Sequence, residues 1–546
     1  MITYHAASRL VTVDVVARDH RGQPAVGLTA KDFEVFDQES GFRKEKKLQK
    51  VAAFRALGMA GAATQVEAPL EVAAGMYTNL VTVQKSPVPP TMILVDGLNT
   101  DISAQMQVHS QMLRMLKSLP DDVPVAVFLL GRHLRMLQSF TTDPKLLKAA
   151  LQKASTIEAG GVLQTDPRDD PDSLSAFNEK LTAVSPESLI RFEQERYAFN
   201  LDMRVRETVD AVRSIALHVA GYPGRKNLLW LSSSFPIAIN PDVDAYRSFH
   251  DYGAELAALT NTLGEAKVSV YPIDLGAGQT TVMQTRRQSR GPFGGSSADA
   301  ITRGSQMQTN RQATMEILAG DTGGQICTDI NDLSYCVKKA VSDSSAFYEI
   351  SYTPDTSGWH GEFHRIIVKT SQPGLHLAYR QGYFARPDGS ETSDLKTAGE
   401  HIQQAACDDF LTATSVTLAV RVMRSDSPQT AKYWVLVDPD TVSFPSSADG
   451  GRELNLMIAA CTFDKAGKPV KLFRDPIQRK LSAKEYKILM TQNFVPHDLL
   501  VSGGLDIAMV RVLVEDMTTA RVGSVNIPYD ALPAAATGNA QAPTPH

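Results

Sequence analysis

The stretch Met92-Ile93-Leu94-Val95-Asp96-Gly97-Leu98-Asn99-Thr100 decides the fold class of this chain. Its first half is a continuous apolar run of the kind that forms a strand buried on both faces of a parallel sheet. The run ends in a carboxylate, an amide and a hydroxyl, and apolar residues at helical spacing follow it. In an open α/β sheet, ligands bind beyond the carboxyl ends of the strands. The stretch therefore predicts an α/β domain with a candidate site at Asp96.

Strand and helix patterns alternate on the carboxyl side of this stretch. Crossovers of this kind predict a doubly wound parallel sheet with helices on both faces. A short edge run ending near Leu137 is expected after the second strand. The predicted strands are Thr91 to Val95, Val123 to Leu130, Asn227 to Leu231 and Lys267 to Ile273, and the clearest helices are Pro144 to Lys153 and residues 205–219.

Period-two alternation bounded by turn residues predicts β structure on both sides of the α/β domain. The runs at 10–54 and 347–379 are similar in style, so we expect them to form one sandwich into which the α/β domain is inserted. A last β-rich unit follows. The expected divisions are an amino-terminal sandwich part at 1–88, the α/β domain at 89–344, strands completing the first sandwich at 345–388, a carboxyl-terminal sandwich at 389–533 and a disordered tail at 534–546.

Composition excludes some classes of partner. The chain has 546 residues and a net charge of −5, which argues against a nucleic-acid surface. No stretch approaches the roughly 20 apolar residues that span a bilayer, so no membrane insertion is expected. The start Met1-Ile2-Thr3-Tyr4-His5 lacks the basic and apolar regions of a signal peptide.

Four cysteines fall into two sets, Cys327 with Cys336 and Cys407 with Cys461. Each set lies within one predicted domain, and the first spacing lets the end of a strand meet the following helix, a reach that suits a disulfide. Four buried free thiols are the alternative, because cysteine is among the most buried residue types. Neither set has the spacing or the histidine partners of a zinc site.

Several motifs together resemble one known family. An apolar strand ending in Asp96-x-Leu98-x-Thr100, then Thr141-Thr142-Asp143, then Leu229-Trp230-Leu231-Ser232-Ser233-Ser234 resembles the von Willebrand factor A domain. Further motifs resemble the von Willebrand A-related proteins widespread in Acidobacteria, and the match covers most of residues 8 to 386. These motifs are Asp32-Phe33-Glu34-Val35-Phe36, Pro223-Gly224-Arg225-Lys226-Asn227-Leu228, Tyr271-Pro272-Ile273-Asp274, Thr322-Gly323-Gly324 and Arg380-Gln381-Gly382-Tyr383.

The resemblance implies a doubly wound domain, flanked by immunoglobulin-like sandwiches, with a degenerate metal-ion-dependent adhesion site. Asp96 and Thr100 match the first and last ligands of the first loop, and Leu98 replaces the serine between them. The second-loop threonine corresponds to Thr141 or Thr142. At the third loop, where the family has an aspartate, the chain has Ser232, Ser233 and Ser234.

Such oxygen ligands suit Mg²⁺ or another divalent cation, with Asp96, Thr100, Thr142 and Ser233 as the metal set. The charge of a divalent ion is compensated mainly by carboxylates. Asp96 is the one carboxylate that matches a ligand position, and Asp143 or Asp274 could help. The resemblance therefore implies a weakened or lost metal site. Alternatively, Asp96 caps the following helix or hydrogen-bonds the serine-rich loop.

These observations predict a non-enzymatic protein that recognises another protein, through adhesion or envelope assembly, at the carboxyl-end face of the sheet. No Gly-x-Ser-x-Gly elbow surrounds the serines. Two alternatives stay open: a serine hydrolase using Ser232 to Ser234, and a purely structural envelope protein. The resemblance and the cysteines imply a secreted or periplasmic location. The expected partner-binding residues are Asp96, Asn99, Thr100, Thr141, Thr142, Asp143, Ser232, Ser233 and Ser234.

Overall fold

The computed structural model describes most of the chain, and strands outnumber helices in it. The described residues are 10–39, 45–58, 75–80, 89–100, 112, 114–116, 119–156, 186–232, 252–274, 314–328, 333–355, 359–385, 406–407, 411–423, 430–446, 451–502 and 507–529, with the backbone alone at 155, 156, 186–194, 197, 198 and 333. Ser233, Ser234 and the tail at 534–546 lie outside these ranges.

Five strands precede the apolar stretch at 92–100. In the first of them, valines at alternate positions are buried and polar residues lie between them, as expected for a strand with one face on a core. The five strands are β1 (Val11–Arg18), β2 (Phe33–Glu39), β3 (Lys47–Gln49), β4 (Val51–Leu57) and β5 (Met76–Thr78).

The α/β unit follows. Four of its strands are buried at every residue, which explains their continuous apolar sequence. Residues 314–322 are also helical. The unit comprises β6 (Thr91–Asp96), β7 (Val125–Leu130), β8 (Leu134–Thr141), α1 (Pro144–Thr156), α2 (Pro186–Val219), β9 (Lys226–Ser232), α3 (Gly253–Glu265), β10 (Val268–Asp274) and α4 (Leu333–Ser345).

Besides a short 3-10 helix (Pro439–Thr441), the described remainder of the chain contains eleven strands and one α-helix. They are β11 (Phe347–Tyr352), β12 (Phe363–Thr370), β13 (His376–Ala378), β14 (Gly382–Phe384), β15 (Leu418–Met423), β16 (Thr430–Val437), β17 (Arg452–Asp464), β18 (Pro469–Leu481), α5 (Ala483–Gln492), β19 (Val495–Ser502), β20 (Ile507–Asp516) and β21 (Arg521–Pro528).

The strands of the first sandwich come from the parts of the chain that precede and follow the α/β unit. One sheet has the order β13–β1–β11–β4 and the other β14–β12–β2–β3. Val13 pairs with Ile350, and Val35 pairs with Val368, in antiparallel register. These four side chains belong to one buried core. Strands before and after the α/β unit therefore share a single hydrophobic core, so the two segments must fold together.

The α/β sheet has the order β10–β9–β6–β7–β8. The first four strands are parallel, and β8 is antiparallel to β7 at the edge. Alternate residues of β6 point to opposite faces: Met92 and Leu94 pack with α2, whereas Ile93 and Val95 pack with α1 and α4. Helices therefore cover both faces. A parallel bridge from Ile273 to Cys327 continues the sheet beyond β10.

The carboxyl-terminal sandwich consists of the sheets β19–β16–β15–β5 and β18–β17–β20–β21. Its strand β5 precedes the α/β unit, and Tyr77 pairs with Val420 of β15. The sequence placed residues 1–88 with the first sandwich, so this assignment differs from the structure at 75–80. Asn79 holds the end of β5 in this sandwich. Its Nδ2 donates to the carbonyls of Ala413 and Val416, at 2.8 Å each, and its Oδ1 accepts from the N–H of Leu418.

Both cysteine sets form disulfides, with Cα–Cα distances of 6.2 Å for Cys327–Cys336 and 5.5 Å for Cys407–Cys461. The first joins the end of the Ile273 bridge to α4. The second lies in a small apolar cluster between the carboxyl-terminal sandwich and Leu217 of α2. In the described part of the chain no cysteine is left as a free thiol.

Candidate functional site

Asp96 ends β6 at the carboxyl edge of the α/β sheet, as the sequence predicted, but its side chain is only 1% exposed. Gly97 and Leu98 both donate their N–H groups to the carbonyl of Leu130, which holds the turn after β6 against β7. The side chain of Leu98 joins the apolar core on the α2 side of the sheet. A hydrocarbon therefore fills the position where the von Willebrand A pattern has a serine ligand.

The carboxylate of Asp96 is surrounded by hydrogen-bond donors of the protein. The backbone N–H of Asn99 donates to Oδ1 at 2.8 Å, and Asn99 Nδ2 donates to Oδ1 and Oδ2 at 3.1 and 2.9 Å. Trp230 Nε1 donates to Oδ2 at 3.0 Å, and the hydroxyl of Ser232 also bonds to the carboxylate. Both oxygens are thus occupied by internal partners.

Burial raises the pKa of Asp96, and the hydrogen bonds from Asn99, Trp230 and Ser232 act in the opposite direction. Burial is the larger effect, since no cation compensates the charge in this set of contacts. Among the described residues, no group of three or more histidine, cysteine, aspartate or glutamate side chains is arranged to hold a metal ion. The chemistry of these donors fits a structural hydrogen-bond centre better than a Mg²⁺ ligand set.

Helix α2 completes the network. Asn99 Nδ2 donates to Thr208 Oγ1 at 2.9 Å, and Thr208 donates in turn to the carbonyl of Arg204 at 2.6 Å. Arg204 Nε donates to Asn99 Oδ1 at 3.1 Å. Sequence reasoning missed Trp230, Thr208 and Arg204 as members of this site. Trp230 carried a signal, because it lies two residues before Ser232 and therefore on the same side of β9.

The other predicted residues of this edge are also buried. Asn99, Thr100 and Ser232 have exposures of 2%, 8% and 1%. Asp274, named as a helper ligand, pairs in register with Ser232 and is 3% exposed. Hydrogen bonds join Asp96, Asn99 and Ser232, and Thr100 is buried next to Asn99 in the chain, so these residues are enclosed and do not form an open contact face.

Thr141, Thr142 and Asp143 lie at the opposite edge of the sheet. Thr141 pairs with Val125, the first residue of β7, whereas Asp96 pairs with Leu130, the last. Five residues of strand separate these positions by roughly 17 Å. The prediction that Thr141 or Thr142 joins Asp96 in a metal set or contact face is therefore wrong. The reason is the direction of β8, which runs antiparallel and carries the chain back to the amino edge.

At that edge the three residues lead from the end of β8 into α1. The N–H of Asp143 donates to Thr141 Oγ1 at 3.1 Å, and Asp143 Oδ1 accepts the N–H of Lys145 at 2.8 Å. This is the arrangement that satisfies free N–H groups at a helix start, here that of α1. Ser233 and Ser234, the remaining predicted ligands and contact residues, lie outside the described residues.

None of the helices in the described part of the chain combines the length and the apolarity that crossing a bilayer requires. No protein-family model matches the chain, and no curated protein matches it. It is similar to several solved structures at low identity. The PilB minor pilin from Streptococcus sanguinis has 10% identity and a TM-score of 0.25, with 60% of this chain and 92% of that chain covered.

Three N-terminal domains of the type V pili tip protein Mfa5 from Porphyromonas gingivalis have 9% identity and a TM-score of 0.23, with 88% of each chain covered. An aerotolerance-related membrane protein from Bacteroides fragilis has 10% identity and a TM-score of 0.23, covering 46% of this chain and 98% of that one. At these scores the similarities assign neither a fold family nor an activity to this chain.

Proposed function

We propose that this chain is a non-enzymatic interaction protein of the cell envelope or the secreted fraction, and that its α/β unit is a von Willebrand A-related domain without a working metal site. The observation that carries the proposal is the occupied carboxylate of Asp96. In a metal-dependent adhesion site this group would face the ion, whereas here it accepts hydrogen bonds from Asn99, Trp230 and Ser232.

Two further observations support this assignment. The sheet order β10–β9–β6–β7–β8, with an antiparallel edge strand and helices on both faces, agrees with the motifs that resemble the von Willebrand A domain. The disulfides Cys327–Cys336 and Cys407–Cys461 are typical of proteins in an oxidising compartment. Because Asp96 and its neighbours are buried, we assign them the role of shaping the carboxyl edge and place partner contact on surface residues.

Metal titration tests the proposal directly. Chelator-treated protein is titrated with Mg²⁺ and Mn²⁺ in a calorimeter, and its melting temperature is measured with and without the ion. We expect no saturable heat up to millimolar ion and no shift in melting temperature. Saturable binding that Ser232→Ala weakens and Asp143→Asn leaves intact would overturn the proposal, because these residues lie at the carboxyl and amino edges respectively.

A capture experiment addresses the interaction role. The full chain is used as bait in a cell-envelope extract, with and without a chelator, and we expect the same captured protein in both. Capture that the chelator abolishes contradicts a metal-independent interaction.

The hydrolase alternative has its own test. Ser232 is buried and bonds to Asp96, whose oxygens also accept hydrogen bonds from Asn99 and Trp230, so its hydroxyl is not open to a substrate. We expect no labelling by a serine-reactive phosphonate. Labelling that Ser233→Ala abolishes would favour the hydrolase over the interaction protein.

A further inference from the structure

Residues 465–487 form a strongly basic segment in an acidic chain. The segment has eight basic and two acidic side chains, a formal charge of +6, while the whole chain carries −5, so the remainder carries −11. All eight basic side chains are exposed. We call this segment the cationic edge. Its basic residues are Lys465, Lys468, Lys471, Arg474, Arg479, Lys480, Lys484 and Lys487.

The cationic edge extends along one border of the sandwich, and the basic side chains of β18 alternate between its two faces, with Lys471 and Arg479 on one and Arg474 and Lys480 on the other. It consists of the turn after β17, the strand β18 and the first half of α5, and β18 is the edge strand of its sheet. At about 3.3 Å per residue, the nine steps from Lys471 to Lys480 cover roughly 30 Å along the border of the sandwich. Lys484 and Lys487 continue the row on one side of α5, because residues three apart in a helix are neighbours.

The acidic groups around this row already have other partners. Asp464 accepts the N–H groups of Ala466 and Lys468 in the turn. Asp475 bonds to His497 Nε2 at 2.9 Å. Glu485 accepts the N–H and hydroxyl of Ser482 at 2.8 and 2.7 Å and thereby caps α5. Lys480 approaches Glu453 at 3.9 Å, where both side chains are largely exposed. Most of the positive charge therefore faces solvent.

Protection of a sheet edge against pairing with another chain is the simplest explanation for lysines on an edge strand. It does not account for this segment. The facing edge of the same sandwich is β19, Val-Pro-His-Asp-Leu-Leu-Val-Ser, which has no lysine or arginine at all. The edge strand β19 thus has no basic residue. An edge of this sandwich therefore does not need lysines for its protection, and the basic residues on β18 call for another explanation.

We propose that the cationic edge binds a linear anionic polysaccharide. A row of charges fits a chain-like polyanion. A single-stranded nucleic acid would need exposed aromatic rings for base stacking, but Phe473 and Tyr486 of this segment pack against the sandwich core. An anionic membrane would need a continuous apolar face, whereas the exposed Val470 lies near the start of the segment and the exposed Ile488 just after its end. Disulfides such as Cys327–Cys336 and Cys407–Cys461 are typical of proteins in oxidising compartments, which include the extracellular space where such polysaccharides occur.

Binding of the full chain to immobilised dextran sulfate and polygalacturonate tests this inference. We expect binding that weakens at least about tenfold between 50 and 200 mM salt, as charge-driven binding does. The variant Lys468→Gln/Lys484→Gln/Lys487→Gln should bind at least about tenfold more weakly at low salt, because three of the basic contacts are lost. A matched control changes three exposed lysines of α1, Lys145→Gln/Lys148→Gln/Lys153→Gln, and should bind like the wild type.

Equal losses in the two variants would overturn the inference, because they would reflect net charge alone. Absence of binding to both polysaccharides would overturn it as well, as would stronger binding to phosphatidylglycerol vesicles or to a single-stranded oligonucleotide. The inference does not depend on the Asp96 network, so metal binding at the carboxyl edge would leave it unaffected.

Discussion

The Asp96 carboxylate holds together groups from β6, β9 and the turn after β6, and its removal leaves buried donors without an acceptor. Each unsatisfied buried donor costs about 1–3 kcal/mol. We expect Asp96→Ala to lower the free energy of local opening at β6 and β9 by about 2–3 kcal/mol, measured by hydrogen exchange of their backbone amides.

Asp143→Ala provides the control for this variant, because Asp143 is exposed at the opposite edge and serves the start of α1. Its effect should be confined to α1. An Asp96→Ala variant whose β6 and β9 amides exchange at the wild-type rate would refute the structural role of the carboxylate. If the loss of amide protection in Asp96→Ala occurred only with added Mg²⁺, it would instead indicate that a metal ion binds at this position.

His364 is a pH-sensitive contact in the first sandwich that no sequence pattern indicated. Its Nδ1 bonds to Asp37 Oδ1 at 2.6 Å and its Nε2 to Glu362 Oε1 at 3.2 Å. Burial lowers the pKa of His364, but the hydrogen bonds and charges of Asp37 and Glu362 outweigh it, so the pKa lies above the ordinary 6.5. Only the imidazolium has an N–H for each carboxylate.

The stabilisation from this protonated pair is therefore complete below pH 6.5 and is lost as the pH rises through the raised pKa. We expect His364→Gln to weaken the β2–β12 pairing by about 1–2 kcal/mol more at pH 5.5 than at pH 9. Hydrogen exchange of the β12 amides at the two pH values, after correction for the intrinsic rate, measures the difference. The exposed His360→Gln should show no such dependence, and a pH-independent effect of His364→Gln would contradict the prediction.

At the scale of elements, strands buried on both faces were predictable from the sequence. The predicted run from Thr91 to Val95 is β6, one residue longer in the structure, and Phe347 to Tyr352 is β11. Full burial leaves a continuous apolar signal. By contrast β18, β19 and α5 were not predicted. In β18 the basic residues interrupt the apolar alternation on which strand recognition depends.

The candidate site was predictable only in part, and the reason lies in β8. The sequence indicated an edge run ending near Leu137, whereas β8 continues to Thr141 and runs antiparallel to β7. A connection that reverses direction moves the following residues to the other edge of the sheet. Apolar periodicity carries no information on strand direction, so Thr142 was assigned to the wrong edge while Asp96 and Ser232 were assigned correctly.

The two disulfides close loops of different length, 9 residues for Cys327–Cys336 and 54 for Cys407–Cys461. Chain-entropy reasoning gives about 2.6 kcal/mol for the shorter loop and about 4.2 kcal/mol for the longer one. We expect Cys407→Ala/Cys461→Ala to destabilise the carboxyl-terminal sandwich more than Cys327→Ala/Cys336→Ala destabilises the α/β unit. Hydrogen exchange at β17 and at α4 reports the two losses, and the reverse order would show that local packing outweighs loop closure.

At the scale of the whole molecule, the domains are interleaved rather than joined end to end. The first sandwich contacts the α/β unit through two buried carboxylates: Arg18 of β1 pairs with Asp343 of α4, and Glu349 of β11 pairs with Lys267, the residue before β10. Within the sandwich, Glu349 also pairs with the exposed Arg55 of β4. Burial raises the pKa of Glu349, but the hydrogen bonds and charges of Lys267 and Arg55 together outweigh it, so the pKa is lowered. Breaking one partner of such a pair leaves a buried charge, so these contacts fix the relative placement of the two units.

The strand β5 precedes the α/β unit in the chain but belongs to the carboxyl-terminal sandwich, and Asn79 anchors it there. This short strand has no periodicity that sequence analysis could detect, and its partner β15 lies some 340 residues away. Because Asn79 makes three hydrogen bonds while only 6% exposed, we expect Asn79→Ala to remove a donor from the carbonyls of Ala413 and Val416 and the acceptor of the Leu418 N–H, at a cost of about 2–3 kcal/mol.

Hydrogen exchange separates this effect from a general loss of stability. In Asn79→Ala the amides of β15 and β16 should exchange faster, while those of β1 and β11 in the first sandwich keep their protection, because β5 contributes to only one of the two cores. Leu80→Ala is the matched control, since Leu80 is adjacent and 37% exposed. If Asn79→Ala accelerated exchange equally in both sandwiches, the two cores would unfold as one cooperative unit, and the independence inferred from their separate sheets would be wrong.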